Sequence, residues 1–355
     1  MNLRTRTPRW IVSLLLSFAT LAAVSQQPDG AQQFANLGRC TLESGVVLEP
    51  CRIGYRTFGH LNAARGNAVL MPTWLFGASA DLVGFFGDGS SSMHLVDTAH
   101  FFGIAIDSLA NGVSSSPSNT PAPQHGPDFP AFTIRDMVNT QHRVVTEILG
   151  IRHLHAVIGL SMGGEQTFVW AAAYPGFFDL AVPILGTPRL TVFDLQTKQI
   201  QLDAVFADPA FHDGHYTVEP PLKLANLFGA LTVTSPQYRN ANTPRAQFAE
   251  FLQSAEAPQS IDANDRVAQL RAIIRHDVIG SRTIAEAAHA ATAHFLVIVN
   301  ANDHLVNPQP ALDWAAAIGA PTYISHGDCA HIIMSCDAAA VSARVRSFLA
   351  TGALQ

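Results

Sequence analysis

The chain has 355 residues, 48% of them hydrophobic, with a formal charge of −6. This is enough apolar material for one large domain with an insertion, or for two domains. The acidic balance and the absence of a basic stripe exclude a nucleic-acid partner.

Residues 1–25 open with Arg4, Arg6 and Arg9, carry no acidic residue, and continue into an apolar stretch from Ile11 to Val24. With Ala23 and Ser25 at the −3 and −1 places of a cut, this reads as a cleaved secretory leader. The stretch falls short of the ~20 apolar residues that span a bilayer, so no membrane attachment is expected after processing. Loss of the three arginines takes the charge from −6 to −9. The mature protein is expected outside the cytoplasm, periplasmic or secreted.

Residues 26–38 are rich in Gln, Ala and Gly and read as a loose mature N-terminus. Cys40 and Cys51 flank a strand, a Ser44-Gly45 turn and a second strand, a spacing that suits a cross-strand disulfide. Cys329 and Cys336 straddle His331 and would tie down its loop. Free thiols are the alternative for each pair, and four cysteines allow three connectivities.

Ala68 to Met71 and Phe101 to Asp107 are short apolar runs of the kind buried on both faces of a parallel sheet. Residues 110–132 form a long loop. The apolar period from Thr133 to Leu149 predicts a helix stopped by Gly150. A strand at 155–158 runs into Gly159, Leu160, Ser161, Met162, Gly163, and a helix follows up to Pro175. A further strand spans 180–185.

From 187 to 289 the strand signals fade, helix-like segments and prolines take over, and an inserted helical cap is expected. The core then resumes over 290–355, with a strand at 294–299, a helix at 308–318, a strand at 321–325, a loop carrying His331, and a closing helix. Residues 26–186 and 290–355 thus form one doubly wound, mostly parallel α/β sheet around the insertion.

The strand-turn-helix at Ser161 is a nucleophile elbow, in which the residues two places either side must be small for strand and helix to approach. Gly159 and Gly163 meet that need. The turn aims the backbone N–H of Met162 at the oxygen of a carbonyl under attack. A second donor is expected from the loop after the strand ending near Met71, at Leu75 or Trp74, with Leu75 preferred. A serine hydroxyl needs a base and a group that orients the base. Asp303, just after the strand ending at Val299, has the place of the acid. Of the 15 histidines, only His326 and His331 follow the last strand. His326 sits too near the strand end to swing across, so His331 is the candidate base, and His304 reads as a solvated loop residue. No HExxH or paired CxxC occurs, and His212 and His215 lack a third ligand, so no metal or other cofactor is expected.

Taken together, DFPAFTIRDMV (128–138), LGI (149–151), VIGLSMGGEQTFVWAAAYP (157–175), DP…GHY (208–216) and NDHLVNP (302–308) resemble the homoserine O-acetyltransferase family of α/β-hydrolases. The resemblance implies the α/β-hydrolase fold with a helical lid, Ser161, Asp303 and His331 as nucleophile, acid and base, and an oxyanion hole from Leu75 and Met162. Two departures stand out. Members that bind homoserine carry an arginine where this chain has Leu202, and an aspartate after the catalytic histidine where it has Ile332. A zwitterion loses more in desolvation than it recovers in such a pocket, although Lys198, one turn from Leu202, offers a partial substitute.

The expected function is therefore an exported carboxylic ester hydrolase working through an acyl-enzyme, with a small uncharged ester as partner. A homodimer is compatible with the sequence. An acyltransferase using an acceptor other than homoserine, and a noncatalytic binding protein on a hydrolase scaffold, are the alternatives.

Overall fold

The computed structural model describes residues 29–353; the leader expected over 1–25 lies outside them. Chain entry differs from expectation. Residues 33–38, read as loose, belong to β1 (Gln33–Thr41), which pairs antiparallel with β2 (Val47–Phe58). Ala35 and Leu37 face the core while Phe34 and Asn36 face solvent, so the two-residue alternation of a half-buried strand is present under a Gln- and Gly-rich composition. Gly45, at φ 82°, turns the hairpin, and a disulfide joins Cys40 to Cys51 across it.

Seven strands of the main sheet follow: β3 (Ala68–Pro72), β6 (Phe102–Ile106), β7 (Leu154–Leu160), β8 (Phe178–Ile184), β9 (His294–Phe295), β10 (Val297–Asn300) and β11 (Thr322–Ser325). Two short strands, β4 (Phe86–Gly87) and β5 (Val96–Asp97), pair apart from it. The order is β1-β2-β6-β3-β7-β8-β10-β11, with β9 also on β8, and all pairs after β2–β6 are parallel. Both faces are buried in the way the continuous apolar runs require. Leu70, Val157 and Val299 point into one cluster with Phe168, Trp170 and Trp314, whereas Val69, Ile158 and Ile298 point into the other with Phe348. Each such side chain withdrawn from water contributes roughly 1.5–3 kcal/mol.

Helices cover both faces. The first, α1 (Ile134–Arg143), starts at Thr133, whose hydroxyl accepts the Asp136 N–H while the Asp136 carboxylate accepts the Thr133 N–H. It continues as a π-helical turn over 144–148. The next, α2 (Met162–Ala173), is buried on nearly every side, which suits its Ala-rich, almost uncharged sequence.

The cap comprises α3 (Val192–Phe206), α4 (Lys223–Thr232), α5 (Pro236–Asn242), α6 (Phe248–Ala255) and α7 (Ala263–Ile274). It packs around its own cluster of Leu202, Val205, Phe211, Leu222, Val267 and Leu270. The chain leaves the core and returns to it at one neck. There the Val278 N–H donates to Pro188 O, the buried His276 Nε2 to Thr187 O at 2.8 Å, and Arg189 grips Asp277 in a bidentate pair at 2.9 and 3.0 Å. Beyond the neck, α8 (Ile284–His289) packs on α9 (Gln309–Ile318) rather than on the cap, and α10 (Ala338–Thr351) closes the sheet.

Candidate active site

Ser161 stands between β7 and α2 at φ 55°, ψ −123°, a conformation that costs of order 1–3 kcal/mol and persists only where the surroundings enforce it. They do. The Ser161 N–H donates to Ile184 O on β8 at 2.8 Å. A Cβ on Gly159 would lie 2.0 Å from Gly163 O, and one on Gly163 would lie 2.7 Å from Pro72 O. Strand, helix and β3 therefore meet at a spacing that only glycine permits. Ser161 occupies the N-cap place of α2 without using its side chain as a cap, which leaves the hydroxyl for chemistry.

Asp303 follows β10. Its Oδ1 accepts the N–H groups of Leu305 and Val306 at 2.9 and 3.2 Å, and its Oδ2 accepts His331 Nδ1 at 2.7 Å. His331 Nε2 in turn accepts the Ser161 hydroxyl at 2.8 Å. The Asp303 side chain is 1% exposed and that of His331 10%, so the chain of bonds is shielded from water and the carboxylate fixes the ring tautomer. His331 lies in the loop closed by a Cys329–Cys336 disulfide, directly after Ala330 in the left-handed region at φ 52°. A serine, an imidazole and a carboxylate in this order can move a proton off the hydroxyl and return it to a leaving group.

The remaining candidates fall elsewhere. His326 is exposed, with its carbonyl accepting from Asn302. His304 meets Asn302 O at 3.3 Å. His212 and His215 are exposed in a cap turn, and among the described residues no group of three His, Cys, Asp or Glu side chains is arranged to hold a metal.

The segment after β3 runs past the start of α2. Gln166 on α2 donates to Thr73 O at 2.9 Å, and Asn111 donates to Gly77 O at 3.0 Å. Phe76 adopts φ 67° and gives its N–H to Gln269 Oε1 at 2.8 Å. Among the described residues, the N–H groups of Leu75 and Met162 reach no acceptor.

Beside this machinery lies a buried charged group that sequence reading did not single out. Glu165 sits one turn beyond Ser161, its N–H donating to Ser161 O at 3.0 Å, and both its carboxylate oxygens are buried without a partner. Burial pushes its carboxyl up to about 8, against the pull of the Lys198 ammonium. Lys198, on α3, is 1% exposed. Burial drives its ammonium down, while Glu165, Asp194 and Asp303 hold it up. Asp194 Oδ1 accepts the Asn307 N–H at 2.9 Å, tying α3 to the loop of Asp303. A charged residue near the start of the otherwise uncharged run GGEQTFVWAAA was the available signal for Glu165. The side chains Gln166, Asn111 and Gln269, which fix the segment after β3, had none, because they act through backbone groups distant in sequence.

A model of the alpha/beta hydrolase fold matches residues 82–335. The chain belongs to the alpha/beta hydrolase family. Homoserine O-acetyltransferase from Chloroherpeton thalassium is 33% identical over 272 residues, 70% of each chain, which makes this protein a divergent member of that branch. Ethyl acetate hydrolase from Pseudomonas veronii is 36% identical over 238 residues. The match covers 64% of this chain, which spans just under two thirds, 66%, of that enzyme's length. Among solved structures, an acetylester hydrolase from Corynebacterium glutamicum superposes with a TM-score of 0.83 at 25% identity, covering 90% of this chain and 96% of its own.

Proposed function

We propose that this member of the family is an exported serine esterase that hydrolyses short acyl esters, acetates foremost, of uncharged alcohols. The observation that carries the reading is the hydrogen-bonded series Asp303, His331, Ser161 at 2.7 and 2.8 Å. His331 takes the proton as Ser161 attacks the ester carbonyl, and the N–H groups of Leu75 and Met162 stabilise the oxyanion. His331 then protonates the departing alcohol. Water, deprotonated by the same ring, releases the carboxylic acid.

Hydrolysis rather than transfer to homoserine is supported by the pocket's missing charges. Leu202 lies in the cap's apolar cluster and Ile332 follows the base, so neither position offers a charge to an amino-acid zwitterion, and burial drives the Lys198 ammonium down. The naming of one relative for ethyl acetate supports a small acyl group. Export is supported by the leader reading and the two disulfides.

The purified protein should hydrolyse p-nitrophenyl acetate and be labelled by a fluorophosphonate, while Ser161→Ala loses both without loss of fold. With acetyl-CoA and L-homoserine it should form no O-acetylhomoserine. Turnover by Ser161→Ala well above the uncatalysed rate would refute the nucleophile. Ready O-acetylhomoserine formation would replace the esterase reading with the transferase one.

A further inference from the structure

We infer that Gln269 is a positioning residue through which the cap sets the oxyanion hole. This rests on the reading of Leu75 and Met162 as the two oxyanion donors.

Gln269 lies on α7 and is fully buried. Its side-chain amide bridges two loops that leave neighbouring strands. The Oε1 accepts the Phe76 N–H at 2.8 Å, and the Nε2 donates to Leu109 O at 2.9 Å. Phe76 is held in the left-handed region, at φ 67°, which a residue with a bulky side chain does not adopt unless its neighbours compel it. Two neighbours come from the same cap helix. Gln269 takes the N–H, and the buried Arg266 guanidinium stands 5.1 Å from the centre of the Phe76 ring. Arg266 is itself anchored to Asn226 Oδ1 at 2.6 Å and Ala225 O at 3.2 Å on α4.

The other ties on this segment come from the core. Gln166 holds Thr73 O and Asn111 holds Gly77 O, and the Gly77 N–H donates to Trp74 O at 3.1 Å to close a turn over Leu75 and Phe76, so the side-chain tie on the turn itself is the one from Gln269. The peptide joining Leu75 to Phe76 is oriented by the bond from Phe76 to Gln269. Once that acceptor is gone, the turn closed by the Gly77 N–H on Trp74 O loses its tie to the cap, and the Leu75 N–H inside the turn shifts with it. The cap thus acts on the transition state through a single amide, without Gln269 touching the substrate.

Three variants of the purified protein test this with p-nitrophenyl acetate as substrate and trifluoroacetone as a probe that forms a tetrahedral adduct on the serine. Gln269→Met, similar in size but without either bond, should lower kcat by about 10- to 100-fold, up to the lower end of the roughly 100- to 1000-fold that outright loss of one oxyanion donor costs. KM should stay within about twofold, and trifluoroacetone should weaken by the same factor as kcat, because only the tetrahedral state uses the donor. Gln269→Asn, one methylene too short to span both loops, should fall in the same direction. Gln269→Glu, whose buried carboxyl can still accept the Phe76 N–H, should retain kcat within a few fold. Folding is checked by thermal melting; should Gln269→Met not fold, the pair Gln269→Asn and Gln269→Glu decides. Wild-type kcat in folded Gln269→Met or Gln269→Asn, or a loss confined to KM, overturns the inference. An absence of wild-type esterase activity or of fluorophosphonate labelling would instead overturn the functional reading, and wild-type activity without trifluoroacetone inhibition would overturn the oxyanion assignment.

Discussion

Ser161 carries positive φ while the two glycines that make room for it do not, so strain and permission for strain reside in different residues. That division yields a prediction. Gly159→Ala places a Cβ 2.0 Å from Gly163 O, and because the obstacle is backbone rather than a movable side chain, strand and helix must part. The expected loss is several kcal/mol, read as a melting temperature lower by more than 10 °C or as insoluble protein; a melting temperature within about 2 °C of wild type would refute the close approach. Ala330 shows the same logic in reverse. Here alanine occupies a left-handed position at φ 52° directly before His331, where a glycine would sit without strain. At this scale the placing of Ser161 and Asp303 beside His331 was legible because each follows a strand end by a short step. Glu165 was not, because its burial against α3 depends on a helix that starts 27 residues later.

Among elements, those whose sequence carries its own start and stop were legible: the Thr133 capping box for α1 and the glycine turn for the hairpin. The first half of β1, residues 33–38, was missed since its pairing with β2, and not its residue preferences, decides its conformation. The neck of the cap was equally hidden, because Thr187, Arg189, His276 and Asp277 pair across 88 or 89 residues. It too makes a prediction. Burial holds the His276 ring neutral, pushing it down from 6.5 to about 4, and Thr187 O is its acceptor. Above pH 6.5 the folded and unfolded chains both carry a neutral ring, and the contact counts in full. Between pH 6.5 and 4 the unfolded chain takes up a proton that the folded one refuses, so stability falls with pH. His276→Gln, which keeps a donor for Thr187 O, should remove roughly 3 kcal/mol of that decline, measured by denaturant titration at pH 7.5 and 4.5. Parallel pH profiles for the two proteins would show that the ring does not titrate in this way.

For the whole molecule, alternating strand and helix signals with one long interruption were enough to read the sheet and its insertion, since a parallel sheet demands crossovers. Which side chains converge was legible only for the Ser, Asp, His order, in which serine and histidine stand 170 residues apart. The two disulfides divide their labour by place. Cys40–Cys51 staples a hairpin at the far edge of the sheet, whereas Cys329–Cys336 rings the base, eight residues of chain with His331 inside. Such a ring restrains a loop by roughly 2–3 kcal/mol, and here what it restrains is the aim of an imidazole. Cys329→Ser with Cys336→Ser should therefore cut kcat more than it cuts melting temperature, and Cys40→Ser with Cys51→Ser should do the opposite; equal effects from both pairs would refute the division. On the proposed reading, the setting of His331 then depends on one covalent bond between two residues with no part in the chemistry, so kcat should report the redox state of that single pair.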